Sequence, residues 1–167
     1  MLHKKEAASD RRHILRALDI VILAGGLGTR LRSAVSDRPK VLAEIGGRPF
    51  IDILIENLLG AGMRRIILSV GYLKDRIKDY YAEKGTLFVE EESPLGTGGG
   101  VKNAERLIIS DQCFVMNGDS CITGGIDFEA FHDFHCSKNA LVTLMLTRPR
   151  KEKDYGVVFL KEDGKIS

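Results

Sequence analysis

Short apolar runs alternate with amphipathic stretches along this chain. Ile20 to Ala24 is a continuous apolar run with a β-branched start and glycines behind it, which predicts a buried strand. Gly25 to Lys40 follows as a long loop rich in Gly and Arg, and loops of that length in compact domains are usually functional or disordered. Val41 to Gly47 reads as a short extended piece with a turn at Gly46-Gly47. Pro49 suits a helical first turn. Phe50, Ile51, Ile53, Leu54, Ile55, Leu58 and Leu59 are apolar nearly all round, so this helix is expected to be largely buried and to stop at Gly60 or Gly62. Arg65 to Val70 predicts a second strand. Tyr72 to Glu83 predicts a helix with Leu73, Ile77 and Tyr80 or Tyr81 on its inner stripe. Thr86 to Val89 is a third strand, Gly98 to Arg106 a helix and Gln112 to Met116 a fourth strand. Asp127 to Ser137 is a helix with Phe128, Phe131 and Phe134 at spacing three. Leu141 to Thr147 is a fifth strand, and Gly156 to the end a hairpin turning at Asp163-Gly164.

Strands alternating with helices predict an α/β fold, a mostly parallel sheet covered on both faces. In such folds ligands sit beyond the carboxyl ends of strands. The loops after strands one, three and four therefore hold the candidate chemistry.

Composition narrows the function. The 167 residues make one domain's worth of chain. No apolar run approaches the roughly 20 residues that cross a bilayer, so no membrane partner is expected. Three cysteines (Cys113, Cys121, Cys136) form no CxxC, which favours a reducing cytoplasm over a disulfide scaffold. The net charge is +2. Residues 1–18 carry 5 Lys/Arg against 2 Asp/Glu, leaving 20 against 21 in the remainder. The basic excess thus lies in an N-terminal arm, read as a leader that Ile14, Leu15 and Leu18 could dock. The body has no basic footprint for nucleic acid.

Gly25-Gly26-Leu27-Gly28-Thr29-Arg30 follows the first strand, where glycines let backbone N–H groups approach phosphate. Leu31 breaks a dinucleotide fingerprint and Arg30 breaks a P-loop. Arg30, Arg32, Arg38 and Lys40 supply the cations a polyphosphate needs. In Glu91 to Gly100, EESPLGTGGG, Ser93-Pro94 forces extended backbone and the glycines admit a flat ligand. Glu91 or Glu92 can accept hydrogen bonds there. Guanine's N1–H and 2-amino group are an adjacent donor pair that suits a carboxylate. Asp119 in Asn117-Gly118-Asp119 stands at a strand end, where one carboxylate plus phosphates and water suits Mg2+, although such an Asp is often only a turn residue. His132, His135 and Cys136 share a helix without the further ligands zinc requires, and Cys113 and Cys121 read as inert thiols.

Taken in order, LAGGLGTR (Leu23 to Arg30), Pro39-Lys40, PLGTGGG (Pro94 to Gly100) and NGD (Asn117 to Asp119) resemble the sugar-1-phosphate nucleotidylyltransferases. SVGY (Ser69 to Tyr72) and YGVV (Tyr155 to Val158) look most like the subgroup that joins heptose 1-phosphate to a guanine nucleotide. The resemblance runs from about Asp19 to Ser167, which sets off residues 1–18 as an extension and 19–167 as the nucleotidyltransferase domain. It implies a Rossmann-like three-layer sandwich of the nucleotide-diphospho-sugar transferase type. It also implies a reaction in which a nucleoside triphosphate, GTP favoured, and a sugar 1-phosphate give a nucleotide sugar and pyrophosphate for cell-surface polysaccharide such as lipopolysaccharide or capsule.

By the same resemblance Leu23, Ala24, Gly25, Gly26, Gly28 and Thr29 would hold the nucleotide's phosphates. Arg30 and Lys40 would be catalytic cations. Glu91, Gly96, Thr97, Gly98 and Gly118 would complete the nucleotide site. Asn117 and Gly156 would lie near the sugar, and Asp119 would bind Mg2+. The family's Glu-Lys-Pro segment and second metal-binding Asp have no counterpart before Ser167, so an incomplete sugar pocket, weakened turnover and self-association are expected. A non-catalytic nucleotide-binding module and an assembly partner stand as alternatives, and mannose and UTP stay open as alternatives to heptose and GTP.

Overall fold

The computed structural model describes residues 14–26, 39–120, 125–147 and 157–166. The chain divides into two compact units, Met1–Phe131 and His132–Ser167.

The first unit is built on a four-stranded parallel sheet. Its strands are β1 (Asp19–Ala24), β4 (Arg65–Val70), β5 (Leu87–Glu90) and β6 (Cys113–Asn117), in the order β5-β4-β1-β6. A small antiparallel hairpin, β2 (Glu44–Ile45) with β3 (Arg48–Pro49), turns at Gly46-Gly47 as expected. A 3-10 turn at Lys40–Leu42 precedes it, where extended chain was expected.

β1 lies between two neighbours, and Ile20, Val21 and Ile22 are wholly buried. That is why its sequence is a continuous apolar run rather than an alternating one. Ile20, Ile22 and Ala24 point into one core, with Ile51, Leu54, Ile55 and Leu58 of α1 (Phe50–Gly60) and with Ile77 and Tyr81 of α2 (Lys74–Tyr81). Val21 points the other way, with Ile67, Val89 and Ala104 of α3 (Gly96–Ala104). The sheet is therefore sandwiched between helices, the three-layer α/β arrangement expected from the sequence.

The departures are local. α1 buries one face only, and Leu59 is exposed. Pro49 caps α1 rather than opening it. Gly62, at φ 107°, ends it: Gly62 N–H donates to the Leu59 carbonyl and Met63 N–H to that of Leu58, a Schellman stop. α2 starts two residues late because Leu73 is left-handed (φ 54°), and its inner tyrosine is Tyr81. Residues 14–17 are helical, and Leu15 and Leu18 are buried in the main core. The docking expected of Leu15 and Leu18 is thus present, while Ile14 is exposed; residues 1–13 of the arm, and the leader reading for them, lie outside the described part.

The boundary between the units falls within α4 (Phe128–Ser137), whose first turn is capped by Asp127 accepting from Ala130 N–H at 2.8 Å. Phe128 and Phe131 pack on Phe114 at 5.5 and 6.1 Å between centroids. In the second unit, the fifth strand expected at Leu141 to Thr147 is not formed. Its described residues have no regular structure, and Leu141 is 99% exposed. A strand needs a ladder partner for its N–H and C=O groups, and apolar sequence cannot supply one. The expected C-terminal turn is present: Leu160 bridges Ile166 antiparallel across Asp163-Gly164. Gly156 lies outside the described residues.

The N-terminal end of the sheet is tied by Asp19, a fully buried carboxylate. Its Oδ2 accepts from Ile109 N–H (2.8 Å), Ser110 N–H (2.9 Å) and Ser110 Oγ (2.8 Å), and its Oδ1 from Arg65 Nε (2.7 Å). Burial pushes this carboxyl up, but the donors of Ser110, Ile109 and Arg65 together hold it below the ordinary value. Asp19→Asn should cost about 3 kcal/mol in urea unfolding, because it leaves buried donors and Arg65 unpaired. The depressed folded value sets the sign with pH: the carboxylate's contribution is complete above the unfolded carboxylate pKa and is lost as pH falls through the folded one. The stability gap between parent and variant should accordingly close in acid.

Candidate active site

The register aligns the carboxyl ends of all four strands. Leu23 pairs with Ser69 and with Asn117, Ala24 with Val70, and Val70 with Glu90. The chain fills one side of β1 with β4 and β5, then returns to the other side with β6. A topological switch point thus lies between β1 and β6, where a crevice opens in such sheets. Gly25, Gly71, Glu91 and Gly118 are the next residues beyond these ends.

Glycine is required here by close approach. A Cβ on Gly71 would lie 2.9 Å from the Gly25 carbonyl oxygen and 3.2 Å from its Cα. One on Gly118 would lie 3.0 Å from the Leu23 oxygen, the atom that accepts from Gly118 N–H at 2.9 Å. The Gly118 contact holds the β6 end against β1 and delivers Asp119 to the crevice mouth. There Lys40 Nζ donates to Asp119 Oδ2 at 2.6 Å, both side chains being about one-third exposed or more. Burial pushes the Asp119 carboxyl up, and the Lys40 ammonium outweighs it, so the group sits below the usual range. Asp119 is thus an ionised hard-oxygen donor whose Oδ1 accepts from Ser120 Oγ at 3.2 Å. Among the described residues no group of three or more His, Cys, Asp or Glu could hold a metal, and Asp119 fits one as a single carboxylate beside nucleotide oxygens.

Three consecutive acids run from the end of β5 into the loop, and their partners separate them. Glu90 is gripped by Lys78 and Lys74 of α2 at 2.6 and 2.7 Å, which hold its carboxyl down at about 2. Glu92 is 89% exposed, 3.4 Å from Lys74. Glu91 alone turns inward: its Oε1 accepts from Ser69 Oγ at 2.8 Å and its Oε2 from Leu95 N–H at 3.2 Å. Its carboxylate lies against Gly25 and Gly100, where added Cβ atoms would sit 2.9 and 3.0 Å from Oε1. Of the two acids the sequence left open, Glu91 turns toward Ser69 and Glu92 toward solvent beside Lys74.

Gly96, Thr97 and Gly98 form the exposed first turn of α3, two residues earlier than the expected helix start. Leu23 and Ala24 end β1, and Gly25 and Gly26 lead out of it. Asn117 ends β6, exposed. Gly28, Thr29 and Arg30 lie outside the described residues, as does Gly156. Ser69 is the residue sequence reasoning passed over. It was noted only within SVGY, and its signal was a hydroxyl in an otherwise apolar strand.

The sequence profile described as nucleotidyl transferase matches residues 19–167. The chain belongs to the nucleotidyl transferase family. The members of that family to which it is similar include guanylyltransferases. It is 33% identical to the D-glycero-alpha-D-manno-heptose 1-phosphate guanylyltransferase of Aneurinibacillus thermoaerophilus, over 90% of this chain and 66% of that protein. It is 34% identical to the mannose-1-phosphate guanylyltransferase of Mycobacterium tuberculosis, over 89% of this chain and 42% of that protein. Among solved structures, HddC from Yersinia pseudotuberculosis matches with a TM-score of 0.64 and 41% identity, over 71% of this chain and 54% of that one. HddC has also been solved complexed with GMP-PN. This nucleotidyl transferase chain spans about two fifths to two thirds of the length of these curated relatives.

The close approach of Gly71 to Gly25 gives a direct check. Gly71→Ala should destabilise the chain by about 1–3 kcal/mol, since the neighbour it meets is backbone that yields only by moving the sheet ends. Thermal unfolding should show a fall of several degrees in Tm.

Proposed function

We propose that this protein transfers a guanylyl group from GTP to a sugar 1-phosphate, heptose favoured and mannose the alternative, giving a GDP-sugar and pyrophosphate. The observation that carries the reading is the meeting of three motif segments at one end of the sheet: Gly25, Glu91 and Gly118-Asp119. The similarity to heptose and mannose guanylyltransferases supports the sugar class and the base.

The chemistry needs positioning and charge neutralisation rather than a protein nucleophile. A sugar phosphate oxygen attacks the α-phosphorus in line, and pyrophosphate leaves. The Lys40 ammonium, at the crevice mouth, stabilises charge developing on the phosphoryl oxygens. Arg30 is proposed as a second cation, and the glycines from Gly25 to Thr29 as the phosphate cradle. Asp119 would hold Mg2+, which supplies charge neutralisation across the phosphates. Gly96, Thr97 and Gly98 border the base, Asn117 and Gly156 the sugar.

A cytoplasmic site of action, in nucleotide-sugar supply for surface polysaccharide, belongs to the same proposal. The lack of a CxxC pair among the three cysteines supports it, and no helix among the described residues is long and apolar enough to cross a membrane. Self-association is also proposed, supported by the exposure of Leu141, Val142 and Phe159.

Glu91 generates the nucleotide prediction. Among the described residues each of its oxygens accepts one protein donor, and a carboxylate offers about four lone-pair sites, which leaves one site per oxygen for an adjacent donor pair. GTP should bind better than ATP or UTP. Inosine triphosphate, without the 2-amino donor, should bind about 1–3 kcal/mol more weakly by calorimetry. Asp119→Asn should cut Mg2+-dependent turnover at least tenfold while shifting stability by under about 1 kcal/mol, its ion pair being part-exposed. A pyrophosphate-release screen of nucleoside triphosphates against sugar 1-phosphates tests the whole reading. Release with GTP and a heptose or mannose 1-phosphate is expected; tight GTP binding without release from any pair would leave a binding module instead.

A further inference from the structure

Ser69 is a buried polar residue that the reaction as described does not use. It sits next to last in β4, flanked by wholly buried Leu68 and Val70, and is itself 0% exposed. Burying a hydroxyl costs free energy unless it is hydrogen-bonded. The Ser69 hydroxyl makes its bond to one atom, Glu91 Oε1, at 2.8 Å. Glu91 lies on the loop after β5, whose backbone is fixed at that point by Glu91 N–H donating to the Val70 carbonyl at 2.8 Å. Oε2 is held separately by Leu95 N–H at 3.2 Å. Gly25 and Gly100 close on the same carboxylate, so that a Cβ on either would displace it from its present position.

We propose that Ser69 is a specificity-determining positioning residue: its hydroxyl locks the Glu91 carboxylate in the one orientation that presents an acceptor from each oxygen to the guanine edge. The inference rests on the reading that Glu91 faces the base. Its physical content is a division of labour. A carboxylate on a flexible side chain accepts from any donor, and its preference for two donors at fixed spacing depends on its plane being fixed. Two protein donors, one per oxygen, define that plane. With the Ser69 donor removed, the carboxylate turns about its remaining bond to Leu95. A ligand needing both oxygens then loses more than one needing a single oxygen. Ser69 therefore acts on the difference between guanine and hypoxanthine nucleotides rather than on nucleotide binding in general.

The test compares GTP and inosine triphosphate dissociation constants by calorimetry with Mg2+ present, for the parent, Ser69→Ala, Ser69→Cys and Glu91→Gln. Circular dichroism and thermal unfolding confirm that each is folded. The Cys variant fills the buried position with a somewhat larger side chain and weakens the donor, so it serves if the Ala variant does not fold. The parent should prefer GTP by roughly tenfold. Both Ser69 variants should lower that ratio at least threefold by weakening GTP, with inosine triphosphate affinity held within about twofold. Equal weakening of both nucleotides, or an unchanged ratio, would reduce Ser69 to a structural role and overturn the proposal. If Glu91→Gln abolishes the preference while the Ser69 variants keep it, the base reading stands and only the Ser69 inference falls. A parent with no preference for GTP removes both.

Discussion

The candidate site depends on β1 pairing in parallel with β4 on one edge and β6 on the other. That double pairing buries Ile20, Val21 and Ile22 completely and sets four strand ends level. Level ends bring Gly25, Gly71, Glu91 and Gly118 together although they are spread over more than ninety residues of sequence. Burying each of the larger β1 side chains contributes about 1.5–3 kcal/mol, so register slips that would scatter the site are costly.

The two ends of this sheet use carboxylates for different ends. At the amino end, Asp19 has four donors and no solvent, and it joins β1 and β4 to the segment before β6. At the carboxyl end, Glu91 and Asp119 are each held by protein donors yet stay partly open. Full satisfaction and burial suit a structural tie. Partial satisfaction leaves acceptors for a ligand, and the protein donors fix where those acceptors point.

The lysines of α2 do the complementary sorting. Lys74 and Lys78 draw Glu90, and Lys74 also Glu92, to the outside of the loop, so one of three adjacent acids faces the crevice. The glycine-rich α3 is a poor helix by intrinsic propensity. Two of its glycines have close neighbours: a Cβ on Gly99 would meet that of Leu95 at 2.7 Å, and Gly100 abuts Glu91, while Gly96 and Gly98 face open space. Sequence reasoning places its start at Gly98, and the helix begins at Gly96.

Much of this was legible along the chain because it rests on local chemistry. Continuous apolar runs mark strands buried on both faces, and that marked β1 and β4 within a residue. Glycines after the first strand mark close backbone approach, and Gly25 there meets Gly71, whereas Gly118 was singled out only by the family resemblance. That Glu91 rather than Glu92 turns inward, that Lys40 pairs with Asp119, and that Ser69 meets Glu91 were not legible from residue chemistry, because each depends on a partner distant in sequence. Leu141 to Thr147 shows the same limit from the other side. Its residues have the composition of a buried strand, but composition does not supply the neighbouring ladder that makes one. The sequence by itself determined which segments seek burial and which backbone positions demand glycine, since those are properties of single residues and their immediate neighbours. Only the tertiary structure decided which polar groups meet, because a hydrogen bond or ion pair is defined by two positions in space and is encoded in neither alone.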